Sequence, residues 1–286
     1  MKTSLECIPC FLRQTLEAGL LVTQDTSVHE EIVRYVLRMT AEMDLSLSPP
    51  VMGQAIHRKL REMTGVDDPY LTVKNEYNRL ALGMLPELTA QVRQAANPLL
   101  AAARLAITAN MIDLGVAGSI SEREVSDAIT RSLSEPIVGN WAAFEEAVSS
   151  SKRILFLADN AGEIVFDQLL IRELGLERVV VAVRGRAVLN DATRDDAMST
   201  GLHELVEIVD NGSDAPGTVL SDCSQAFRKR FAEAELIIAK GQGNFETLSE
   251  VDANIFFLLK VKCPVIVSHV GLATSTHALI HSSEIS

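Results

Sequence analysis

Four cysteines in 286 residues are too few to staple a disulfide scaffold, and their scarcity fits a reducing compartment. Aromatic residues make up only 5%, with a single tryptophan, which argues against a stacking platform for single-stranded nucleic acid. Lysine and arginine total 26 against 38 aspartates and glutamates, a net charge of −12. A chain this acidic, with no basic block, is a poor match for a nucleic-acid backbone or an anionic membrane. No run approaches the ~18 uninterrupted apolar residues of a membrane span. Glu6 and Arg13 break the N-terminal stretch that a signal peptide would need. These absences predict a cytoplasmic globular protein with neither nucleic acid nor membrane as partner.

What is present is 47% hydrophobic and 22% charged residues, enough apolar surface for a packed core. The two halves of the chain differ in periodicity. From Thr3 to about Ser151 apolar residues recur at helical spacing, as in the stripe Ile32, Val33, Val36, Leu37 and Met43. Pro49 and Pro50 open a helix that Gly65 closes, and residues 98–114 form a long, mostly apolar and therefore buried helix. Ser121 and Glu124 make a capping box. After Lys152, short β-branched runs appear at 153–158, 178–183, 205–209, 235–240 and 264–269. Helical segments such as EIVFDQLLIREL and TLSEVDANIFFLLKVK separate them. This predicts an α/β fold in which a helical half, residues 1–151, packs on a doubly wound, mostly parallel, Rossmann-like sheet of five or more strands built from residues 152–286. The serines at 149–151 mark the junction.

In open parallel sheets, ligands bind beyond the carboxyl ends of the strands. The first strand runs into Asp159-Asn160-Ala161-Gly162-Glu163, and the second into Arg184-Gly185, with Asn190-Asp191 beyond. The third meets Asp210-Asn211-Gly212-Ser213-Asp214, the fourth Lys240-Gly241-Gln242-Gly243-Asn244, and the fifth Ser268-His269. Asp159 and Asn160 offer hard oxygen ligands for an ion of the Mg²⁺ or Mn²⁺ class, beside a helix start suited to phosphate. A plain capping role for Asn160 fits the sequence as well. Asp191 either completes a three-oxygen set or caps the helix of ATRDDAMSTG, whose Asp195 and Asp196 read as surface charges complementing its dipole. In KGQGN the glycines admit close backbone approach to an anion and Lys240 adds a point charge. A lysine ending a buried strand needs a partner, for which Glu163 and Glu246 are candidates.

Other chemistries lack their motifs. There is no P-loop, no glycine-rich dinucleotide turn after the first strand, no Asp-x-Asp and no nucleophile elbow. Cys7 and Cys10 form a CxxC with no strand before it, which leaves a semi-buried thiol pair or a weakly supported zinc site. Asn110 and Asp113 interrupt an apolar helix, as core polar groups or as groups facing a cleft.

Taken together, ADNAGEIVFD (158–167), LND (189–191), KGQGNFE (240–246), ANMIDLG (109–115) and an N-terminal CxPC followed by Arg13-Gln14 resemble the DUF89 family of damage-control phosphatases, in its microbial CxPC-bearing branch. The resemblance spans nearly the whole chain. It implies a metal-dependent phosphomonoester hydrolase acting on small phosphorylated metabolites, either phosphosugars or damaged phospho-intermediates. The implied cofactor is a divalent metal ion: manganese, magnesium, cobalt or nickel. Residue by residue, it implies Asp159 and Asn160 as metal ligands, Asp191 as the third, and Lys240 as a phosphate contact with Asn244 in the same motif. Glu163, Arg184, Gly241 and Gly243, on the same edge, join the substrate-binding candidates. The catalytic set is then Asp159, Asn160, Asp191 and Lys240, with attack by Asp159 or by metal-activated water both open. A non-catalytic phosphometabolite-binding protein and a Rossmann-like methyltransferase are the competing readings.

Overall fold

Apolar residues recurring every three to four positions fold the first half into helices. The computed structural model describes residues 1–109, 129, 131 and 133–285, and shows α1 (Cys7–Val22), α2 (Thr26–Glu42), α3 (Pro49–Thr64), α4 (Leu71–Gln94) and α5 (Pro98–Ala109). Asp25 caps α2 by accepting from the Ser27 amide. Helix α3 opens on Pro49-Pro50 and stops at Gly65, whose φ of +70° favours glycine. The continuation of 98–109 toward residue 114, the Ser121–Glu124 capping box, Asn110 and Asp113 lie outside the described residues.

A two-residue strand, β1 (Ile137–Val138), interrupts the first half before α6 (Trp141–Ser150), so that half is not wholly helical. The chain then alternates β2 (Ile154–Leu157), α7 (Glu163–Leu174), β3 (Val179–Val183), α8 (Arg194–Ser199), β4 (Glu207–Asp210), α9 (Gln225–Glu233), β5 (Leu236–Lys240) and α10 (Gly241–Leu248). It ends with β6 (Ile255–Lys260), α11 (Pro264–Val270) and β7 (His277–His281). Among the described residues seven strands form one sheet, in the order β1-β7-β6-β5-β2-β3-β4. Its pairings are parallel except for β6 with β7.

Strand residues point alternately to two apolar layers. Ile154, Phe156 and Ala158 share one cluster with residues of α4, α5, α6 and α7, including Leu88, Leu105, Phe144 and Leu170. Leu155 and Leu157 share the other with Phe227 and Phe231 of α9, Phe245 and Leu248 of α10, and Ile266 of α11. Both faces are therefore covered, and the helices of the first half supply much of one layer.

The final predicted strand is corrected by the structure. Residues 264–269 form helix α11, and the strand is Ile255–Lys260, inside the segment expected to be helical. A run of five apolar residues and a lysine, buried on both faces, carries no periodicity that separates strand from helix. Pro264 at the first helical position and Gly271 just past the end, at φ +70°, are the helix signals that apply instead. Ser268 and His269 thus lie in a helix rather than at a strand end.

Strand order places the site. From β2 the chain steps outward through β3 to β4, then returns to place β5 and β6 on the opposite side of β2. The order reverses between β2 and β5, the point at whose carboxyl ends open α/β sheets form their ligand crevice.

Candidate active site

Register brings three loops together at this crevice. Leu157 pairs with Ala182 on β3 and with Ala239 on β5. Two residues further along, Asp159 comes level with Arg184 and Gly241. The backbone holds this row in place, because the Ala192 amide donates to the Asp159 carbonyl at 2.7 Å and the Ala161 amide to that of Asn190 at 2.9 Å. Asn160 and Asp191 consequently face each other across an isolated antiparallel bridge. Between the two strand ends, Leu189 adopts a left-handed φ of +46°.

Gly241 has a structural reason for its identity. Its φ is +73°, and a Cβ there would lie 1.8 Å from Asp159 Oδ2. Only glycine lets the first turn of α10 close against that carboxylate. Gly243 is set by a second close approach, since its Cβ would fall 2.4 Å from the Pro216 carbonyl oxygen.

Asp159, Asn160, Glu163, Asp191, Arg184, Lys240 and Asn244 are all buried. The Arg184 Nε donates to Asp191 Oδ2 at 2.5 Å, and its Nη2 lies 3.6 Å from Asp159 Oδ1, so a guanidinium spans the two carboxylates. The Asn160 amide donates to Asp159 Oδ2 at 3.1 Å and to Glu163 Oε2 at 3.4 Å. Asn244 ties the strand ends together, donating to the carbonyls of Ala158 and Lys240 and accepting from Thr218 Oγ1 at 2.8 Å and Arg184 Nη1 at 3.3 Å. Asp191 does not cap the next helix; Thr193 does, in a capping box with Asp196.

Lys240 is fully enclosed. Its ammonium donates to Glu163, to Asp167 Oδ1 at 2.6 Å and to the Ala106 carbonyl at 2.9 Å. Glu163 is therefore its partner, as expected, while Glu246 is not: that side chain accepts from Gln242 at 2.7 Å. Asp167 is a partner that the sequence reading misses, although it lies four residues beyond Glu163 and so shares its helix face.

Four carboxylates, Asp159, Glu163, Asp167 and Asp191, thus surround two cations, Arg184 and Lys240. Burial, then the charges of Glu163 and Asp191, push the Asp159 carboxyl well above the usual carboxylate range, with Arg184 and Lys240 opposing. Burial raises Asp167 to about 7 despite Lys240. A surplus of buried carboxylate is an electrostatic setting for a further cation. Among the described residues no three His, Cys, Asp or Glu side chains form a ready metal cage. The donors that do adjoin are two carboxylates and an amide: Asp159, Asp191 and Asn160.

Helix α4 reaches this loop through residues the sequence did not single out. Asn78 Oδ1 accepts from the Gly162 amide, and Asn78 Nδ2 donates to Asp196 Oδ1 at 2.9 Å. Lys74, also buried, pairs with Asp196 at 2.8 Å and Asp68 at 3.2 Å. Asp196 is accordingly a buried partner of α4 and not the surface charge expected of it. Cys7 and Cys10 both carry free thiols, the first buried and the second exposed.

Residues 3–277 match the family model of the damage-control phosphatase ARMT1-like domain. A damage-control phosphatase from Archaeoglobus fulgidus is 34% identical over 280 residues, covering 95% of this chain and 96% of its own. A damage-control phosphatase from Pyrococcus horikoshii is 32% identical over 272 residues, covering 93% of each. A crystal structure of a DUF89 family protein from Pyrococcus horikoshii superposes with a TM-score of 0.90 at 28% identity, covering 99% of both chains.

Proposed function

Because the chain belongs to the damage-control phosphatase ARMT1-like family, we propose that it is a phosphatase that hydrolyses phosphomonoesters of small metabolites, with a divalent metal ion held by Asp159, Asn160 and Asp191. The observation that carries this reading is the surplus of buried carboxylate where the sheet reverses its order, between β2 and β5. Enclosing four carboxylates beside two cations is costly unless more positive charge arrives. Two carboxylates and an amide are the hard oxygen donors that magnesium, manganese, cobalt or nickel accept. Bound there, the ion would supply positive charge against a phosphoryl oxygen.

The chain's own groups supply the remaining functions. Arg184 spans Asp159 and Asp191, and its guanidinium is placed to share a phosphoryl oxygen between them. The first-turn amides of α10, from Gly241 to Gly243, are the ones a helix start leaves without an intrahelical acceptor, and they suit the other phosphate oxygens. Lys240 acts through Glu163 and Asp167, holding the start of α7 beneath the substrate phosphate. Asn244 keeps the ends of β2 and β5 at fixed separation, so that donors and phosphate meet without reorganisation.

The test is phosphate release from p-nitrophenyl phosphate and a panel of phosphosugars, after EDTA treatment and separate return of Mg²⁺, Mn²⁺, Co²⁺ or Ni²⁺. Turnover restored by a metal and lost in Asp159→Ala is the expected result. Full turnover in that variant, or none by the wild type with any metal and substrate, overturns it.

A further inference from the structure

Helix α3 sends three side chains to one carboxylate. Gln54, Arg58 and Arg61, spaced four and three residues apart, lie on one face of that helix. All three donate to Asp214 in the loop that follows β4: Gln54 at 2.7 Å, Arg58 Nη2 at 2.6 Å, and Arg61 through its Nη2. Arg58 also lies 3.5 Å from Asp222. Cations and carboxylates are matched here, so the cluster acts as a joint between α3 and the sheet edge. The joint has a second arm. Arg61 is buried, and its Nη1 donates to the Ala187 carbonyl at 2.9 Å, in the loop between β3 and α8. A planar guanidinium fixed by Asp214 at one nitrogen thus holds that carbonyl with another.

Two residues beyond Ala187 the backbone is strained. The Asp191 amide donates to the Val188 carbonyl at 3.1 Å, closing a tight turn whose second residue is Leu189, at φ +46°. Turns give a position of that kind to glycine or asparagine. A leucine persists there only where its surroundings over-determine it. Those surroundings are apolar: Leu189 packs against a buried cluster that includes Ile56 and Leu60 of α3 and Tyr70. Helix α3 therefore grips the loop twice, through Arg61 at Ala187 and through its apolar face at Leu189, and the next residue but one is Asp191. Past the turn, the bond from the Ala192 amide to the Asp159 carbonyl, 2.7 Å, joins the gripped loop to the other carboxylate of the site.

We propose that Leu189 and Arg61 are positioning residues for Asp191, setting the direction in which its carboxylate meets Asp159 and Asn160 and so the affinity of the three for a divalent ion. The inference rests on the metal-dependent reading of the site and extends it to α3. It also explains the leucine. A glycine would relax the turn but lose the dock on α3, so the strained backbone is the cost of keeping a side chain that aims the loop.

The test compares Leu189→Gly, Leu189→Met and Arg61→Met with the wild type, each shown to be folded by circular dichroism. Leu189→Met keeps an apolar side chain on α3, and Arg61→Met leaves Asp214 paired with Arg58 and Gln54. Mn²⁺ titrated into EDTA-treated protein is expected to bind about tenfold or more weakly in Leu189→Gly and Arg61→Met, the usual cost of losing a group that orients a metal ligand. Leu189→Met is expected to stay near the wild-type Kd. Unchanged affinity in Leu189→Gly or in Arg61→Met overturns the proposal, and so does an equal loss in Leu189→Met and Leu189→Gly. Amide hydrogen exchange on metal-free protein reads the same positioning with no ion present. Exchange at Asp191 and Ala192 is expected to quicken about tenfold or more in Leu189→Gly while the amides of β3 and β5 keep their wild-type rates. Acceleration spread evenly over the sheet would mean a plain loss of stability and overturns the proposal. A wild type that binds no Mn²⁺ sinks the metal reading itself, whereas the exchange result still decides whether α3 positions Asp191, so the two failures are told apart.

Discussion

The side chain of Asn78, in the middle of α4, accepts a hydrogen bond of 2.7 Å from the backbone amide of Gly162, the residue that precedes α7. Its other end donates to Asp196, which caps α8 and pairs with Lys74. One amide thus clamps the Asp159–Gly162 loop to a helix from the other end of the sequence. Gly162 needs this support, because its φ of +75° is a left-handed conformation that starts the helix without a side-chain cap.

Replacing Asn78 with alanine strips a buried donor and acceptor from two partners. The expected cost is about 1–3 kcal/mol of stability, the usual penalty for stranding buried polar groups. If Asn78 positions the loop, kcat falls by about tenfold or more while KM moves little, because a small displacement of reacting groups is expensive. Urea unfolding and steady-state kinetics on the same preparation check both effects; a stability loss with unchanged kcat would make Asn78 purely structural.

Gly241→Ala should be the most damaging of the small substitutions. The new methyl meets Asp159 Oδ2 at 1.8 Å on a backbone with φ of +73°, so the carboxylate or the α10 start must move. Turnover is expected to drop at least about a hundredfold, the scale on which a misplaced reacting group is felt, with crystallography of the variant showing Asp159 displaced. Gly201→Ala is the control: it has a similar φ of +74° but nothing within 4 Å of the added carbon, so it costs stability alone.

Lys240→Met leaves Glu163 and Asp167 buried without their shared cation. Breaking a buried ion pair in this one-sided way costs about 3–5 kcal/mol. Adding Asp167→Asn in the same chain removes the stranded charge and should recover a substantial part of that loss. Denaturant midpoints of the two single variants and the double variant give the coupling directly; strict additivity would mean that Lys240 and Asp167 do not stabilise each other.

One contribution to acid sensitivity comes from His57, which is buried on α3 and held near a pKa of about 4, chiefly by burial and then by Arg61. The unfolded chain binds a proton on this residue below about 6.5, and the native chain does so only near 4. Between those values the unfolded state carries the extra proton, so stability rises with pH and is lost as pH falls. The contribution amounts to about 2 kcal/mol between roughly pH 7.5 and 5. His57→Gln should remove this contribution, read as the difference between wild-type and variant stability from urea midpoints across the range.

Much of the site is legible in the order of the strands and in the residues that end each one. Asp159, Arg184 and Gly241 stand in a row because β2, β3 and β5 are parallel neighbours in matching register, and apolar β-branched runs mark those strands. IFFLLK cannot be assigned in the same way, because its five apolar residues run without alternation and the whole strand is buried. The environment of Lys240 is half legible: Glu163 lies in a motif at the active edge, but Asp167 emerges only from asking what else shares that helix face. Asn78 and Asp196 are 118 positions apart, and nothing local in either segment announces the contact. Tertiary partners of polar residues at that separation depend on how whole helices dock, which periodicity leaves undetermined.

The proposed phosphatase chemistry requires Asp159, Asn160 and Asp191 to hold a divalent cation. The decisive experiment titrates Mn²⁺ into EDTA-treated protein by electron paramagnetic resonance, with phosphate release measured on the same samples. One bound ion per chain is expected in the wild type, with activity that rises in step with occupancy, and both are expected to vanish in Asp159→Ala and Asp191→Ala. Undiminished Mn²⁺ binding in those two variants, or phosphate release independent of occupancy, would show that these residues do not hold the ion on which turnover rests.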